Sequence, residues 1–539
     1  MDTQTIQRRR WVILGVVVVG LLAIVIDNTV LNVALKTIAN PVGGLGASQS
    51  ELEWAINSYT LVFAGLLFTF GVVGDRIGRK RTLMAGLILF GLGSLFSAYS
   101  HSPDQLIAAR AVMGLGGAAV MPQTLSIIAN VFEPAERARA IGIWTSAVGI
   151  GVAIGPVLGG LLLTHFWWGS VFLINVPVTI AGAVAALILI PESRNPAPGK
   201  IDYLGVLGSI LGLVLVVFGI VQGGDGEPWG SLGVLGPLFG GLAVLALFAW
   251  YESRIEHPSL DVRLFKHRTL SASVGSIALL FFGMGGVYFF TSFYLQNVRG
   301  YSPLETGALA VPFALGQFVM SPRSASLVSR FGVRSVMVAG MLANAVAIGG
   351  WAFLSGSSPI WIVAVLFFVQ GAGLGVAVPA ATAAVMEALP RERAGAGSAL
   401  TNTARQVAVA LSVAVLGSIL SSAYRSSLTP TLAHLPAAAR NAAGSSITAT
   451  QALAGELGRA GQFLLAPADS AFVDAMRITT AIAAALAIVG GLAVLRWFPG
   501  RKRPTIEELV AAEVAAAERD LVRGLEEAVL PDRPELSER

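Results

Sequence analysis

The stretch from Trp11 to Leu35, WVILGVVVVGLLAIVIDNTVLNVAL, decides what kind of fold the rest of the chain can have. Its 25 residues carry one ionisable side chain, Asp27. At about 1.5 Å per residue, a helix of this length exceeds a hydrocarbon core of about 30 Å. It is too long for the apolar core of a signal peptide, and no small-residue cleavage site precedes the next apolar run, so it reads as a retained first span. Runs of the same kind recur at 53–73, 82–100, 105–128, 139–163, 169–191, 202–222 and 233–251, then at 270–295, 303–326, 335–355, 359–385, 395–423 and 471–497. The expected fold is therefore an all-α polytopic membrane protein with 14 transmembrane helices. Composition excludes the alternative. Hydrophobic residues make up 55% of the 539 residues and charged ones 12%, about half the roughly 25% usual in soluble domains. With no Cys in the chain, disulfide frameworks, thiolate metal sites and Cys nucleophiles are excluded.

An even number of spans puts both termini on one side, and the basic residues choose the side. The N-terminal side holds Arg8-Arg9-Arg10, Arg76, Arg79, Lys80, Arg81, Arg137, Arg139, Arg254, Arg263, Lys266 and Arg268. It continues with Arg330, Arg334, Arg391, Arg393 and Arg501-Lys502-Arg503. The opposite loops hold little beyond Lys36, Arg299, Arg425, Arg440 and Arg459. Positive charge stays inside, so both termini are expected in the cytoplasm. Residues 1–10 form a basic N-terminus. Residues 424–470, rich in Ala, Ser and Thr, read as an outer loop, either a solvated appendage or a cap on an external vestibule. Residues 498–539 form a cytoplasmic tail, expected to carry a polar helix with Glu507, Glu508, Glu513, Glu518 and Glu526.

The chain repeats itself at an offset of about 256 residues. Gly114-x-Gly116 with Pro122 returns as Gly371-x-Gly373 with Pro379, and Pro134-Ala-Glu136-Arg137-Ala138 returns as Pro390-Arg-Glu392-Arg393-Ala394. Asp75-Arg76-Ile-Gly78-Arg79-Lys80 returns, weakened, as Ser329-Arg330-Phe-Gly332-Val-Arg334. Residues 11–191 and 270–497 thus read as two six-helix bundles, with two inserted linker helices at 202–251. Parallel repeats of this kind are a recurrent transporter architecture.

Two motifs stand out. Gly71-Val-Val-Gly74-Asp75-Arg76-Ile-Gly78-Arg79-Lys80-Arg81 joins spans 2 and 3 on the cytoplasmic side. Its glycines allow close backbone approach, and a carboxylate suits a helix N-terminus. In span 5, Gly151-x-x-x-Gly155-Pro156-x-x-Gly159-Gly160 sets small residues along one helical face, with a proline that kinks the helix. The first pattern resembles the signature loop of the major facilitator superfamily, the second the antiporter motif of exporters within it. With Asp27-Asn28-Thr29-Val30-Leu31-Asn32-Val33-Ala34-Leu35 and Phe172-Leu-Ile-Asn175-Val-Pro177, residues 10–500 resemble the fourteen-helix drug/proton antiporters. That resemblance implies a proton-coupled exporter of lipophilic, cationic or amphiphilic drug-like compounds, working by alternating access in a bacterial cell membrane. It also implies that Asp75, with Gly71, Arg76, Gly78 and Arg79, helps latch the halves on the cytoplasmic side. Ser329 replaces the acid in the second copy, so such a latch is one-sided.

Ionisable groups inside a bilayer cost about 2.5–3.5 kcal/mol each on insertion scales and point to function. Three stand out: Asp27, Arg110 and Arg405. Asp27 and Arg110 lie at similar depth in the outer half, since spans 1 and 4 run in opposite directions. Asn28 and Asn32 share a polar face beside Asp27. The expectation is that Asp27 takes up and releases the coupling proton, with Arg110 as its partner; a permanent pair that only fixes packing is the alternative. Arg110 aligns by the repeat with Phe367, which confines this machinery to the first half. In the second half the uncharged span 9 offers Phe281, Phe282, Tyr288, Phe289, Phe290, Phe293 and Tyr294, rings that line an apolar drug pocket or merely pack. Tyr288, Phe289 and Phe293, with Gln123, Gln317 and Arg405, complete the candidate cavity. Arg405 pairs with backbone carbonyls, snorkels toward the cytoplasm, or meets an anionic group on substrate or lipid.

The partners expected are a small lipophilic substrate, protons and membrane lipids, with no nucleic acid, for a monomer. No P-loop appears, so the proton gradient is the energy source and no cofactor or enzymatic activity is expected. An exporter of an endogenous lipid or amphiphilic metabolite is the alternative, favoured by Arg405 and the outer loop. A non-transporting scaffold or sensor is disfavoured by the span-5 motif and the buried charges.

Overall fold

A computed structural model describes residues 3–194, 202–255, 258, 262–389 and 394–498. The expected polar helix at 504–530 and the basic residues Arg391, Arg393 and Arg501-Lys502-Arg503 lie outside the described residues, as do the side chains of Arg137 and Arg139. Among the described residues there is helix and no strand.

The first half comprises α1 (Thr3–Ala39), α2 (Gln49–Ile77), α3 (Arg79–Ala98), α4 (Pro103–Val131), α5 (Pro134–His165), the single turn α6 (Ser170–Leu173) and α7 (Asn175–Leu189). Then come α8 (Tyr203–Gly224) and α9 (Leu232–Glu252). The second half begins with α10 (Arg268–Phe293), α11 (Pro303–Ala308), α12 (Val311–Met320), α13 (Ser324–Phe331), α14 (Val333–Trp351) and α15 (Ile360–Glu387). It ends with α16 (Ala394–Leu432), α17 (Ala437–Ser445), α18 (Ile447–Glu456) and α19 (Leu465–Trp497). Eleven helices among the described residues are long and apolar enough to cross a membrane, or thirteen if two bent pairs each make one span. The segment 139–163 corresponds to α5, which contributes a shorter apolar stretch, Ile150–His165.

The repeat is visible in local structure. Ser48 caps α2 by accepting from the Glu51 N–H while Glu51 reaches back to the Ser48 N–H, and Ser302 and Glu305 do the same for α11. Gly78 (φ 130°) closes α2 and opens α3, and Gly332 (φ 83°) does the same between α13 and α14. A side chain at either position would be strained, which explains why both copies keep glycine where Asp75 became Ser329. Replacing Gly78 by Ala would also drive a Cβ into the Glu192 carboxylate. Gly78→Ala is therefore expected to lower the melting temperature of the detergent-purified protein by about 1–2 °C, the effect of about 1–2 kcal/mol.

Both copies also bend at matching places. Gln49–Leu67 meets Thr69–Ile77 at 54°, and Pro303–Met320 meets Ser324–Phe331 at 53°. Just past the first bend, Gln123 of α4 donates from Nε2 to the Phe70 carbonyl (2.7 Å), the kind of side-chain intrusion that bends a helix.

The helices pack in groups within each half and across the seam. α1 lies on α5 and α7, and α4 on α2 and α3; in the second half α10, α16 and α19 meet one another, and α12 and α14 each pack on α15. The inserted pair α8–α9 is a hairpin whose α8 docks on both α2 and α16. Across the seam, α2 meets α16, α5 meets α11 and α12, and α1 meets α10. The segment 424–470 corrects the expectation of a solvated appendage. α16 runs on to Leu432, and α17, α18 and a 3-10 turn at Gly458–Leu464 fold back so that Ile447, Thr448, Thr450 and Ala454 are buried.

Candidate functional site

Asp27 sits in the middle of α1, 2% exposed, and Arg110 in the second turn of α4, 1% exposed. The guanidinium Nη1 donates to Asp27 Oδ2 at 2.5 Å and Nε donates to the Ala55 carbonyl at 3.1 Å. The guanidinium lies 4.4 Å from the centre of the Tyr59 ring, a cation–π contact that helps carry its charge away from water. Asp27 Oδ1 accepts from Asn175 Nδ2 at 3.0 Å; the same amide donates to Ser94 Oγ at 3.1 Å, and Ser94 donates to the Phe172 carbonyl. Five helices thus converge on one carboxylate. The depth matching that placed Asp27 beside Arg110 corresponds to a direct contact.

Three of these groups carried no assigned role in the sequence. Tyr59 and Ser94 sit on faces that the sequence pattern leaves unspecified. Asn175 was visible within Phe172-Leu-Ile-Asn175-Val-Pro177, yet nothing in the spacing told that it faces α1. Asn28 and Asn32 do share a face, but they form a ladder along α1: Asn28 Nδ2 donates to the Ile24 carbonyl and to Tyr59 Oη, and Asn32 Nδ2 donates to the Asn28 carbonyl.

The glycine pattern of α5 explains how α1 is held. A Cβ at Gly151 would press on Val25, one at Gly155 would overlap Thr29 Oγ1, and one at Gly159 would touch Val30. These three glycines face the turns of α1 that flank Asp27. Gly160 turns the other way, against Pro303 and Leu304, and Gly307 of α11 rests on the Pro156 carbonyl. α5 is therefore a thin wedge between the acid-bearing helix and the second half.

The signature loop is bound within its own half. Asp75 pairs with Arg79 at 2.8 Å, Arg79 also donates to the Ser126 carbonyl, and Lys80 donates to the Leu187 carbonyl. Arg76 is exposed, and Gly71 is in ordinary contact with Pro122. The hydrogen bonds and the ion pair of Asp75 among the described residues all go to Arg79, within the first half. The seam is tied instead at the face opposite the N-terminus. Lys36 Nζ donates to the Gln296 carbonyl (2.6 Å), and Gln296 Nε2 donates to the Val33 carbonyl (2.9 Å). Gln296 belongs to a π-helical turn, Tyr294–Val298, a local widening that proteins often keep at working sites.

The second-half candidates are differently placed. Phe289 and Phe293 are buried and meet edge to face, with Phe472 beyond. Half-buried Tyr288 sets its ring edge-on to Phe313 and Phe367. Phe367, the repeat counterpart of Arg110, also packs on Trp351 at 5.3 Å. An aromatic cluster therefore stands where the first half keeps its ion pair. Gln317 is half-buried where α12 meets α15. Gln123 departs from the cavity expectation: it is buried against α2, where its amide is committed to Phe70 and a Cβ at Gly74 would overlap it. Arg405 is half-buried, donates to Asn402 Oδ1 (2.7 Å) and lies 5.3 Å from the Phe281 ring. These contacts are to side chains and not to the backbone carbonyls that were one of the three expectations, beside snorkelling and an anionic group on substrate or lipid.

Two similar helical halves, a seam closed at one face and an acid–base pair walled off beside a glycine-lined helix define a multi-pass membrane transporter, not an enzyme. The chain belongs to the Major Facilitator Superfamily, whose family model matches residues 17–413. It is 35% identical over 495 residues to the methyl viologen resistance protein SmvA of Salmonella typhimurium, covering 91% of this chain and 98% of that one. To the multidrug efflux pump LfrA of Mycolicibacterium smegmatis it is 34% identical over 491 residues, covering 90% and 96%. Its fold is like that of a bacterial homolog of the human lysosomal transporter Spinster in an inward-facing, unoccupied conformation, with a TM-score of 0.62 at 21% identity over 92% of this chain and 99% of that one.

Proposed function

We propose that this protein is a proton-coupled exporter of lipophilic, cationic or amphiphilic drug-like compounds. It works by alternating access in a bacterial cell membrane, with both termini in the cytoplasm. The observation that carries this reading is the Asp27–Arg110 pair, buried and coordinated by Asn175 and Tyr59 next to the glycine face of α5. An acid so placed stays ionised while the guanidinium is beside it and takes up a proton when a moving neighbour draws the guanidinium away. One charge crossing 100 mV supplies about 2.3 kcal/mol, so one or two protons drive substantial concentration of a drug. The names of the relatives, a methyl viologen resistance protein and a multidrug efflux pump, support the cargo class.

The test is a panel of lipophilic cations, methyl viologen included, in proteoliposomes with an imposed pH gradient. Uptake that a protonophore abolishes is expected; uptake indifferent to the gradient would remove the coupling. Arg405, to which the described residues offer an amide and a ring but no carboxylate, favours a second cargo, an anionic amphiphile or lipid. Competition of dye transport by lipid extract in wild type but not in Arg405→Met would support it.

A further inference from the structure

Asp27 is not the only acid walled off in the first half. Glu53, on the second turn of α2, is 1% exposed, and its Oε2 has no hydrogen-bond partner. One turn further on, Asn57 is 0% exposed with neither amide atom bonded. Both lie on the α2 face turned to the seam, because a Cβ placed on Gly417 of α16 would overlap the Glu53 carboxyl. The same contact continues in apolar packing of Leu61 against Val217 and Val221 of α8 and Ala410 and Ala414 of α16.

The charges around Glu53 do not neutralise it. Just past the end of α8 stands Asp225, another carboxylate, held by Arg425 of α16 at 3.7 Å. From α4, Arg110 is committed to Asp27 of α1, and Lys36 of α1 is committed to the Gln296 carbonyl. α3 brings Arg79, Lys80 and Arg81 only at its far end, and Glu51 on α2 is spent in the capping box. An ionised carboxylate buried without a partner costs several kcal/mol, and the neutral acid costs far less. The α2–α16 seam is also one that has to part when the halves rock, which would return Glu53 to water.

We propose that Glu53 is a second proton-binding residue of the transport cycle, one that must hold a proton for the α2–α16 seam to close. Acidity at the face opposite the N-terminus then drives the carrier to the closed arrangement described here, independently of what Asp27 does. The inference rests on the alternating-access reading, and Asn57 is the neutral neighbour that tolerates the acid form without forcing its ionisation.

Two measurements on the full-length protein test it. In protein labelled with 13C-glutamate, infrared spectra at neutral pH should show a protonated glutamate carboxyl band that Glu53→Gln removes and Asp27→Asn leaves in place. The chain has no cysteine, so Val42→Cys and Ser427→Cys, both at exposed positions across the seam, can carry a spin-label pair. The long-distance population should rise with pH in wild type and in Asp27→Asn, and stay flat in Glu53→Gln. A wild-type protein without the glutamate band, a flat wild-type profile, or a Glu53→Gln profile that tracks wild type would overturn the proposal. A profile abolished by Asp27→Asn alone would overturn it too, while leaving the role of Asp27 intact.

Discussion

Asp27→Asn is expected to bring substrate uptake driven by an imposed pH gradient down to the background of empty liposomes, while downhill exchange of substrate persists. Asparagine reproduces the shape of the carboxylate and can still meet Asn175 and Arg110, but it cannot carry a proton. The same substitution has a second effect. It strands the Arg110 guanidinium, 1% exposed, without its counter-charge, and breaking a buried pair on one side costs about 3–5 kcal/mol. Thermal stability in detergent should therefore fall together with coupling. The double substitution Asp27→Asn/Arg110→Met separates the two effects, because removing both charges leaves nothing unpaired. Stability should recover to near wild type, with coupling still absent. If the double variant pumped against a gradient, the pair would be a packing device and the proton would travel elsewhere.

How this pair could be anticipated, and what could not, follows from helix geometry. Apolar length gave the spans, and counting residues along two antiparallel helices gave the depth at which Asp27 and Arg110 meet. Depth is a one-dimensional property that a sequence carries. Rotation about the helix axis is not, when a helix is apolar all round and its polar residues are few. Asn175 and Tyr59 therefore had no visible direction, and Gln123, read as a cavity residue, turned out to clamp the bend in α2. Glu53 was hidden for another reason. It lies near the end of its span, where an acid ordinarily reaches water, and only the α2–α16–α8 contact buries it. The long folded segment after α16 escaped because its Ala-, Ser- and Thr-rich composition is that of a loop as much as of short helices. The bends of α2 and of Pro303–Phe331 likewise depend on tertiary contacts.

The glycine face of α5 leads to the other large effect. Gly155→Leu should cut efflux about a hundredfold with the protein still in the membrane. At Gly155 even a Cβ would overlap Thr29 Oγ1 and lie 3.2 Å from the Ile26 carbonyl. Thr29 and Ile26 bracket Asp27 on α1, so an added side chain pushes on the very turn that presents the carboxylate to Arg110. A shift of about 1 Å in a working group is enough for a loss of that size, and overpacking of this kind costs about 1–3 kcal/mol in stability. The smaller Gly155→Ala should show a milder defect that Thr29→Ala relieves, because the hydroxyl of Thr29 is the atom in the way. Gly275→Ala is the control: a Cβ there meets nothing within 4 Å, and efflux should be unchanged. Drug efflux from intact cells, measured beside protein abundance in membranes, distinguishes a jammed carrier from a missing one. Full activity in Gly155→Leu would mean that α5 has room to move away from α1, and that the glycines do not hold the acid in register.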